Sequence, residues 1–232
     1  MINAKKDGHI HSPFCPHGTK DSLEMYVQKA LEEGLEEISF TEHLPLPKGF
    51  IDDKIIEESA PDEENFKEYI KAVKRIKMKY KGKINILVGA EIDYLEGLEE
   101  ETSRILEEYK NDLEDSILSV HFVKFNDEYY CIDYSVEKYK ELIELTGSIE
   151  NFYDLYYSTV IKSIKAKFGT FKANRIGHPS LVRIFNKVYP CEYNNKELML
   201  KMIKEIKERQ YDIDYNTAGI RKKYCKEVYQ SG

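Results

Sequence analysis

Short apolar runs alternate with amphipathic stretches along the whole 232-residue chain, and this alternation limits the possible folds more than any other feature. The apolar runs have the length of buried strands, and the stretches between them repeat apolar residues at helical intervals of three and four. Strands that alternate with helices favour a parallel sheet or barrel. The predicted strands are residues 7–11, 37–42, 84–92, 116–121, 174–178 and 211–216. The predicted helices are residues 23–31, 66–80, 98–109, 152–168 and 196–209.

No linker or internal repeat divides the chain, so we expect a single domain over residues 1–232. The loop from Pro45 to Asp62 is long enough to act as a lid over a binding site. Residues 122–133 are expected to form a small hairpin beside the strand that precedes them.

Charge and composition argue against several classes of function. The net charge of −7 is unlike that of a general nucleic-acid binder, which normally has a basic face. No stretch approaches the roughly 20 apolar residues of a membrane span, and the N-terminus lacks the apolar segment of a signal peptide. The four cysteines contain no C-x-x-C pair, which is typical of reduced thiols. We therefore expect a cytoplasmic protein that binds neither nucleic acid nor membranes; the sequence leaves its oligomeric state open.

Histidines at the ends of predicted strands indicate a metal site. His9 and His11 are two residues apart, so on a strand they share one face. In a barrel, the carboxyl ends of the strands converge at one mouth, where imidazole and carboxylate groups can share a metal. His17 lies in a Pro-rich loop, and its composition alone also fits a simple turn. The strand-end residues that we predict as metal ligands are His9, His11, His43, Glu91, His121 and His178.

Three further polar residues are candidates for substrate contact, and each has a plainer alternative. Glu42 either contacts substrate or orients His43. Arg183 either binds a phosphate oxygen with its bidentate fork or forms a surface salt bridge. Arg221 is a weaker candidate for the same phosphate contact, and its alternative is a solvent-exposed turn.

An ordered series of motifs resembles the polymerase-and-histidinol-phosphatase (PHP) superfamily, and most of all its monofunctional histidinol-phosphate phosphatases. The motifs are D-G-H-x-H, T-E-H, G-x-E-I-D, S-V-H-F and G-H-P-S-L-V-R, and the resemblance runs from Asp7 to about Arg221. It implies a distorted (β/α)7 barrel with three divalent metal ions. Imidazole and carboxylate ligands leave zinc, iron and manganese open.

The same resemblance implies a role for each ligand. His9, His11 and Glu91 would bind the first metal, Glu91 would bridge to a second metal held by His121 and His178, and His17 and His43 would bind the third. In such proteins a late S-D-A-H segment adds an Asp and a His. No such pattern follows His178, so we expect a C-terminally shortened domain without its last strand and helix.

The implied reaction is hydrolysis of L-histidinol phosphate in histidine biosynthesis, by attack of a hydroxide that bridges two metals beside Glu91. Two alternatives stay open at this point. The substrate is another phosphorylated compound, such as phosphotyrosine, a nucleotide or a nucleic-acid end, or the chain is an inactive metal-binding fragment because ligands are missing.

Overall fold

The computed structural model describes residues 5–229, and within them strands and helices alternate as predicted. The first part of the chain contains β1 (Lys6–Ile10), α1 (Leu23–Glu32), β2 (Glu37–His43), α2 (Asp53–Ser59), α3 (Glu63–Lys79), β3 (Asn85–Asp93), α4 (Glu99–Tyr109) and β4 (Asp115–Ser119). The second part contains β5 (Phe122–Phe125), β6 (Glu128–Cys131), α5 (Val136–Thr146), α6 (Ile149–Lys165), β7 (Arg175–Ile176), a 3-10 turn (Leu181–Phe185), α7 (Lys196–Glu208), β8 (Asp212–Ile213) and α8 (Ala218–Arg221).

Residue contacts divide the chain into two compact units. The first contains the described residues up to Ile92, with Glu100–Ile117 and Gly169–Ala173. The second contains Asp93–Glu99, Leu118–Phe168 and the described residues from Asn174 onward. The single domain expected over 1–232 stays a prediction. Residues 1–4 and 230–232 lie outside the described part, and the expected C-terminal shortening stays a prediction.

In the first unit, β1, β2 and β3 pair in parallel. The β2–β3 register is unbroken from Glu37 opposite Asn85 to His43 opposite Glu91. Glu114, just before β4, continues the sheet by donating its N–H to the carbonyl of Val88 at 2.7 Å. The residues that form the core of this unit are almost all apolar and include Val27, Ile38, Phe40, Phe66, Val73 and Val88.

Tyr69 on α3 fixes the spacing of β2 and β3 just before their carboxyl ends. Its hydroxyl donates to the carbonyls of Phe40 at 2.6 Å and Gly89 at 2.8 Å. A Cβ at position 89 would lie 2.7 Å from Thr41 Cγ2 and 2.8 Å from Phe40 O, so only glycine fits between the strands. This close approach, at Thr41 and Gly89, lies one residue before Glu42 on β2 and two residues before Glu91 on β3.

In the second unit, the end of β4 pairs with β7, since Gly177 donates its N–H to the carbonyl of Leu118 at 2.9 Å. Strands β7 and β8 pair in parallel over two residues each, so both are shorter than predicted. The predicted hairpin is confirmed by β5 and β6, which pair antiparallel. The core of this unit is rich in tyrosine and includes Tyr139, Tyr153, Tyr156 and Tyr157.

Three α-helices, α2, α5 and α8, were not predicted from the sequence. Helix α2 lies inside the predicted loop between Pro45 and Asp62, where the Asp52 side chain accepts the N–H of Lys54 as an N-cap. Helix α5 begins at the N-cap Ser135 and ends at Gly147, which has a φ of 83°. Two residues of α5, Tyr139 and Leu142, are buried.

None of the helices in residues 5–229 is long and apolar enough to cross a membrane. All four cysteines are free and buried.

Candidate metal centre

In the first unit, three histidine nitrogens converge on one oxygen of Glu91, whose residue surface is fully buried. The distances to Glu91 Oε2 are 3.1 Å from His9 Nε2, 3.2 Å from His11 Nε2 and 3.6 Å from His43 Nε2. The His11 and His43 rings also stack, with centroids 4.7 Å apart. One carboxylate oxygen cannot accept hydrogen bonds from three imidazoles with good geometry. A cation among these groups, in contrast, can bind all of them.

Strand pairing produces this convergence. β2 and β3 run in register to their ends, so His43 lies directly opposite Glu91. On the other side of β2, His9 lies near the end of β1 and His11 follows it. The sequence predicts these positions because each of the residues lies at or near the end of a strand.

His17 lies beside the same cluster, in the loop between β1 and α1. Its ring centroid is 5.9 Å from that of His11 and 5.4 Å from that of His43. Its Nδ1 lies 3.5 Å from Cys15 Sγ. The arrangement supports the alternative that His17 is a ligand rather than a turn residue alone.

Glu42 is fully buried and is surrounded by hydrogen-bond donors. Burial alone would raise the pKa of this carboxyl. The hydrogen bond to His11, the positive charge of that ring and the hydrogen bonds from Ser12 outweigh burial and lower the pKa of Glu42 to about 2. Glu42 is therefore a fixed negative charge beside the histidines.

The neighbouring groups also shift the pKa of His11. Burial lowers the pKa of its imidazole, but hydrogen bonds with Cys15, Glu42 and Glu91 and the charge of Glu91 outweigh burial and raise the pKa well above its usual value. An environment that favours a proton on His11 also favours a divalent cation, which binds in place of that proton.

The residues present fit a divalent metal. One ligand atom each from His11, His43 and Glu91 can be chosen so that all lie within 4.8 Å of one another. Imidazole nitrogen with carboxylate oxygen is a donor set that suits zinc, iron and manganese.

The second unit contains the other two predicted ligands. The rings of His121 and His178 have centroids 4.9 Å apart. His121 Nδ1 lies 2.5 Å from Asp93 Oδ1, a partner that the sequence reasoning did not identify. Its signal was present in G-x-E-I-D, where the Asp follows Glu91 by two residues and shares its face of the strand.

The two arginines predicted to bind substrate lie in different surroundings. Arg183, on the 3-10 turn, donates from Nε to Glu227 Oε2 at 2.8 Å and from Nη1 to the carbonyl of Cys191 at 3.3 Å. Arg221 is exposed at the end of α8. The salt-bridge alternative for Arg183 is therefore present, and part of its guanidinium is already in use.

The sequence and the fold resemble those of known proteins. The family model of the PHP domain matches residues 7–218 of the chain. The histidinol-phosphatase of Bacillus subtilis (strain 168) is 41% identical over 97% of this chain and 85% of its own length. A protein of Deinococcus radiodurans described as a probable histidinol-phosphatase is 28% identical over 93% of this chain and 74% of its own.

Two solved structures are also similar. A crystal structure from Listeria monocytogenes, described as that of a candidate histidinol phosphatase, has a TM-score of 0.91 and 36% identity, and the match covers 97% of this chain and 87% of that one. A histidinol phosphate phosphatase of Lactococcus lactis, complexed with Zn, L-histidinol and phosphate, has a TM-score of 0.69 over 92% of this chain and 73% of that one. At 20% identity the second likeness concerns the fold alone.

Proposed function

The chain belongs to the PHP domain family, and on this premise we propose that it is a metal-dependent phosphomonoesterase that hydrolyses L-histidinol phosphate to L-histidinol and phosphate in histidine biosynthesis. Support for this substrate comes from the Bacillus subtilis histidinol-phosphatase, which is 41% identical over nearly the whole chain. The predicted α/β fold of the PHP type is confirmed by the TM-score of 0.91 with the Listeria structure.

The observation that carries the metal-dependent chemistry is the convergence of three Nε2 atoms on Glu91 Oε2. When bound to such groups, divalent metals lower the pKa of a coordinated water and offset the negative charge of phosphoryl oxygens. We propose up to three zinc, iron or manganese ions. The proposed ligands are His9, His11, His17, His43, Glu91, His121 and His178.

The protein side chains then hold and orient the reacting groups. Glu91 is proposed to be the bridging ligand, because its buried carboxylate is the point on which the first unit's histidines converge. In the overall reaction, water adds to phosphorus, the ester P–O bond breaks, and the leaving alkoxide takes up a proton. The small phosphorylated substrate needs no covalent intermediate with the protein.

Arg183 is proposed to contact the phosphoryl group. A guanidinium has five N–H donors, and the contacts to Glu227 and Cys191 use Nε and one N–H of Nη1. The remaining donors are enough for a phosphate oxygen. Arg221 stays a second candidate, since its exposed position on α8 leaves its guanidinium accessible.

Steady-state hydrolysis assays test the proposal. The 232-residue chain, loaded in turn with Zn²⁺, Mn²⁺ and Fe²⁺, is compared on L-histidinol phosphate, phosphotyrosine, a nucleotide and an oligonucleotide with a terminal phosphate. We expect the highest kcat/KM with L-histidinol phosphate. A higher kcat/KM with a nucleotide would contradict the proposed substrate. Bound metal without any turnover would favour the alternative of a non-catalytic metal-binding protein.

A further inference from the structure

Glu42, at the carboxyl end of β2, is surrounded by four hydrogen-bond donors. Its Oε2 accepts from Ser12 Oγ at 2.5 Å and from Ser12 N at 3.0 Å. Its Oε1 accepts from His43 N at 3.1 Å and lies 3.4 Å from His11 Nδ1. The residue is 0% exposed.

These contacts fill the carboxylate. An ionised carboxylate has about four lone-pair positions, and the Ser12, His43 and His11 donors occupy all of them. No acceptor position and no exposed surface remain for the amine or imidazole of a substrate. The alternative in which Glu42 contacts substrate therefore has no geometric support.

The contact with His11 determines which ring nitrogen faces the metal cluster. Because a carboxylate only accepts hydrogen bonds, it favours the tautomer with the proton on Nδ1. The lone pair then lies on Nε2, the atom that is 3.2 Å from Glu91 Oε2. A metal-binding histidine commonly has such a carboxylate on its other nitrogen, which fixes the ring orientation and raises its basicity.

The contacts with Ser12 hold the beginning of the loop that carries His17. Besides donating to Glu42, Ser12 Oγ accepts the N–H of Phe14 at 3.2 Å. The carbonyl of Ser12 accepts the N–H of Cys15 at 3.0 Å. Glu42 thus anchors a tight turn, and His17 follows that turn by two residues.

We propose that Glu42 is a positioning residue that preorganises His11 and the His17 loop for divalent-metal binding and does not contact substrate. The proposal rests on the proposed function only insofar as the histidine cluster binds metal. It also differs from the sequence-based alternative that Glu42 orients the His43 ring, because the contact with His43 is to its backbone N–H.

The test is the affinity for Zn²⁺ of wild type, Glu42→Gln and Glu37→Gln, measured by competition with a chromophoric chelator. Glutamine offers only one acceptor oxygen, so its amide faces at least one of the four donors. We expect Glu42→Gln to bind Zn²⁺ about 10- to 100-fold more weakly, with the same number of ions per chain at saturation. Glu37→Gln makes the same chemical change at the other end of β2 and should bind like wild type.

Two further measurements separate positioning from substrate contact. In ¹H–¹⁵N NMR spectra of the histidine side chains, Glu42→Gln should shift the His11 signals, because it replaces the carboxylate beside Nδ1. At saturating metal, the KM for L-histidinol phosphate should stay within about twofold of wild type, because a residue with no substrate contact changes KM little. Wild-type Zn²⁺ affinity together with a raised KM would overturn the proposal.

A milder variant covers the case in which Glu42→Gln does not fold. Ser12→Ala keeps the carboxylate and removes one of its four donors, so we expect a several-fold loss of Zn²⁺ affinity, with KM unchanged. Unchanged affinity in Ser12→Ala would then refute the anchoring role. If wild type hydrolyses no L-histidinol phosphate, the proposed substrate fails, but the Zn²⁺ affinities still decide the role of Glu42.

Discussion

Asp93 Oδ1 lies 2.5 Å from His121 Nδ1, and Asp93 is almost completely buried. A carboxylate that holds Nδ1 of a histidine orients the ring so that Nε2 can bind a metal. The pair therefore has the arrangement expected of an oriented metal ligand, although the reasoning from sequence assigned no role to Asp93.

Asp93→Asn should weaken metal binding through this orientation. We expect an approximately 10- to 100-fold loss of Zn²⁺ affinity, the range seen when such a partner is removed. Equilibrium titration against a chelator measures it. Asp127→Asn is the matched control, because the Asp127 side chain is 98% exposed on the hairpin; equal affinities of the two variants would contradict the role of Asp93.

Glu91→Gln should abolish phosphatase activity, because it removes the charged oxygen on which the Nε2 atoms of His9, His11 and His43 converge. We expect bound metal, measured by elemental analysis, to decrease together with kcat. The surface variant Glu101→Gln should retain both. Substantial activity in Glu91→Gln would show that this carboxylate is not the bridging ligand.

Tyr69→Phe should destabilise the first unit. The change leaves the buried carbonyls of Phe40 and Gly89 without their hydroxyl donor, which costs about 1–3 kcal/mol in the free energy of unfolding. Chemical denaturation measures the loss. Tyr26→Phe removes a less buried hydroxyl that contacts Thr19 and should change stability by no more than about 0.5 kcal/mol.

The ion pair between Arg183 and Glu227 should make stability depend on pH. The hydrogen bond from Arg183 is the main cause that lowers the pKa of Glu227 below its ordinary value of 4.5. A lowered folded-state pKa contributes stability that is fully present above the unfolded pKa and is lost as the pH falls through the folded one. Wild type should therefore be more stable than Glu227→Gln at about pH 7, and the difference should shrink below about pH 4. A difference that stays constant with pH would contradict this.

Arg183→Ala should reduce kcat/KM for L-histidinol phosphate by about 10- to 100-fold, the effect of losing a hydrogen bond to a charged group. Steady-state kinetics at saturating metal measure it. Arg104→Ala removes an exposed arginine paired with Glu101 and should leave kcat/KM unchanged. A stability loss in Arg183→Ala without a kinetic effect would assign Arg183 to the Glu227 ion pair alone.

The sequence by itself determined the α/β class, the hairpin and the positions of the long helices. Apolar periodicity is local, so a helix such as α3 or a strand such as β3 is visible within one stretch of residues. The sequence also indicated that four residues are neighbours, because residues at the carboxyl ends of adjacent parallel strands lie together. These are His9, His11, His43 and Glu91.

Only the tertiary structure decided how these side chains are used. Glu42 reaches Ser12 across 30 residues of chain, and Asp93 reaches His121 across 28. Such contacts depend on strand register and on which donors remain unmatched at a strand end, and neither is encoded in local spacing. The pattern T-E-H thus left Glu42 open between substrate contact and orientation of His43. In the packed structure the ring beside Glu42 is that of His11, and the contact with His43 is to its backbone N–H.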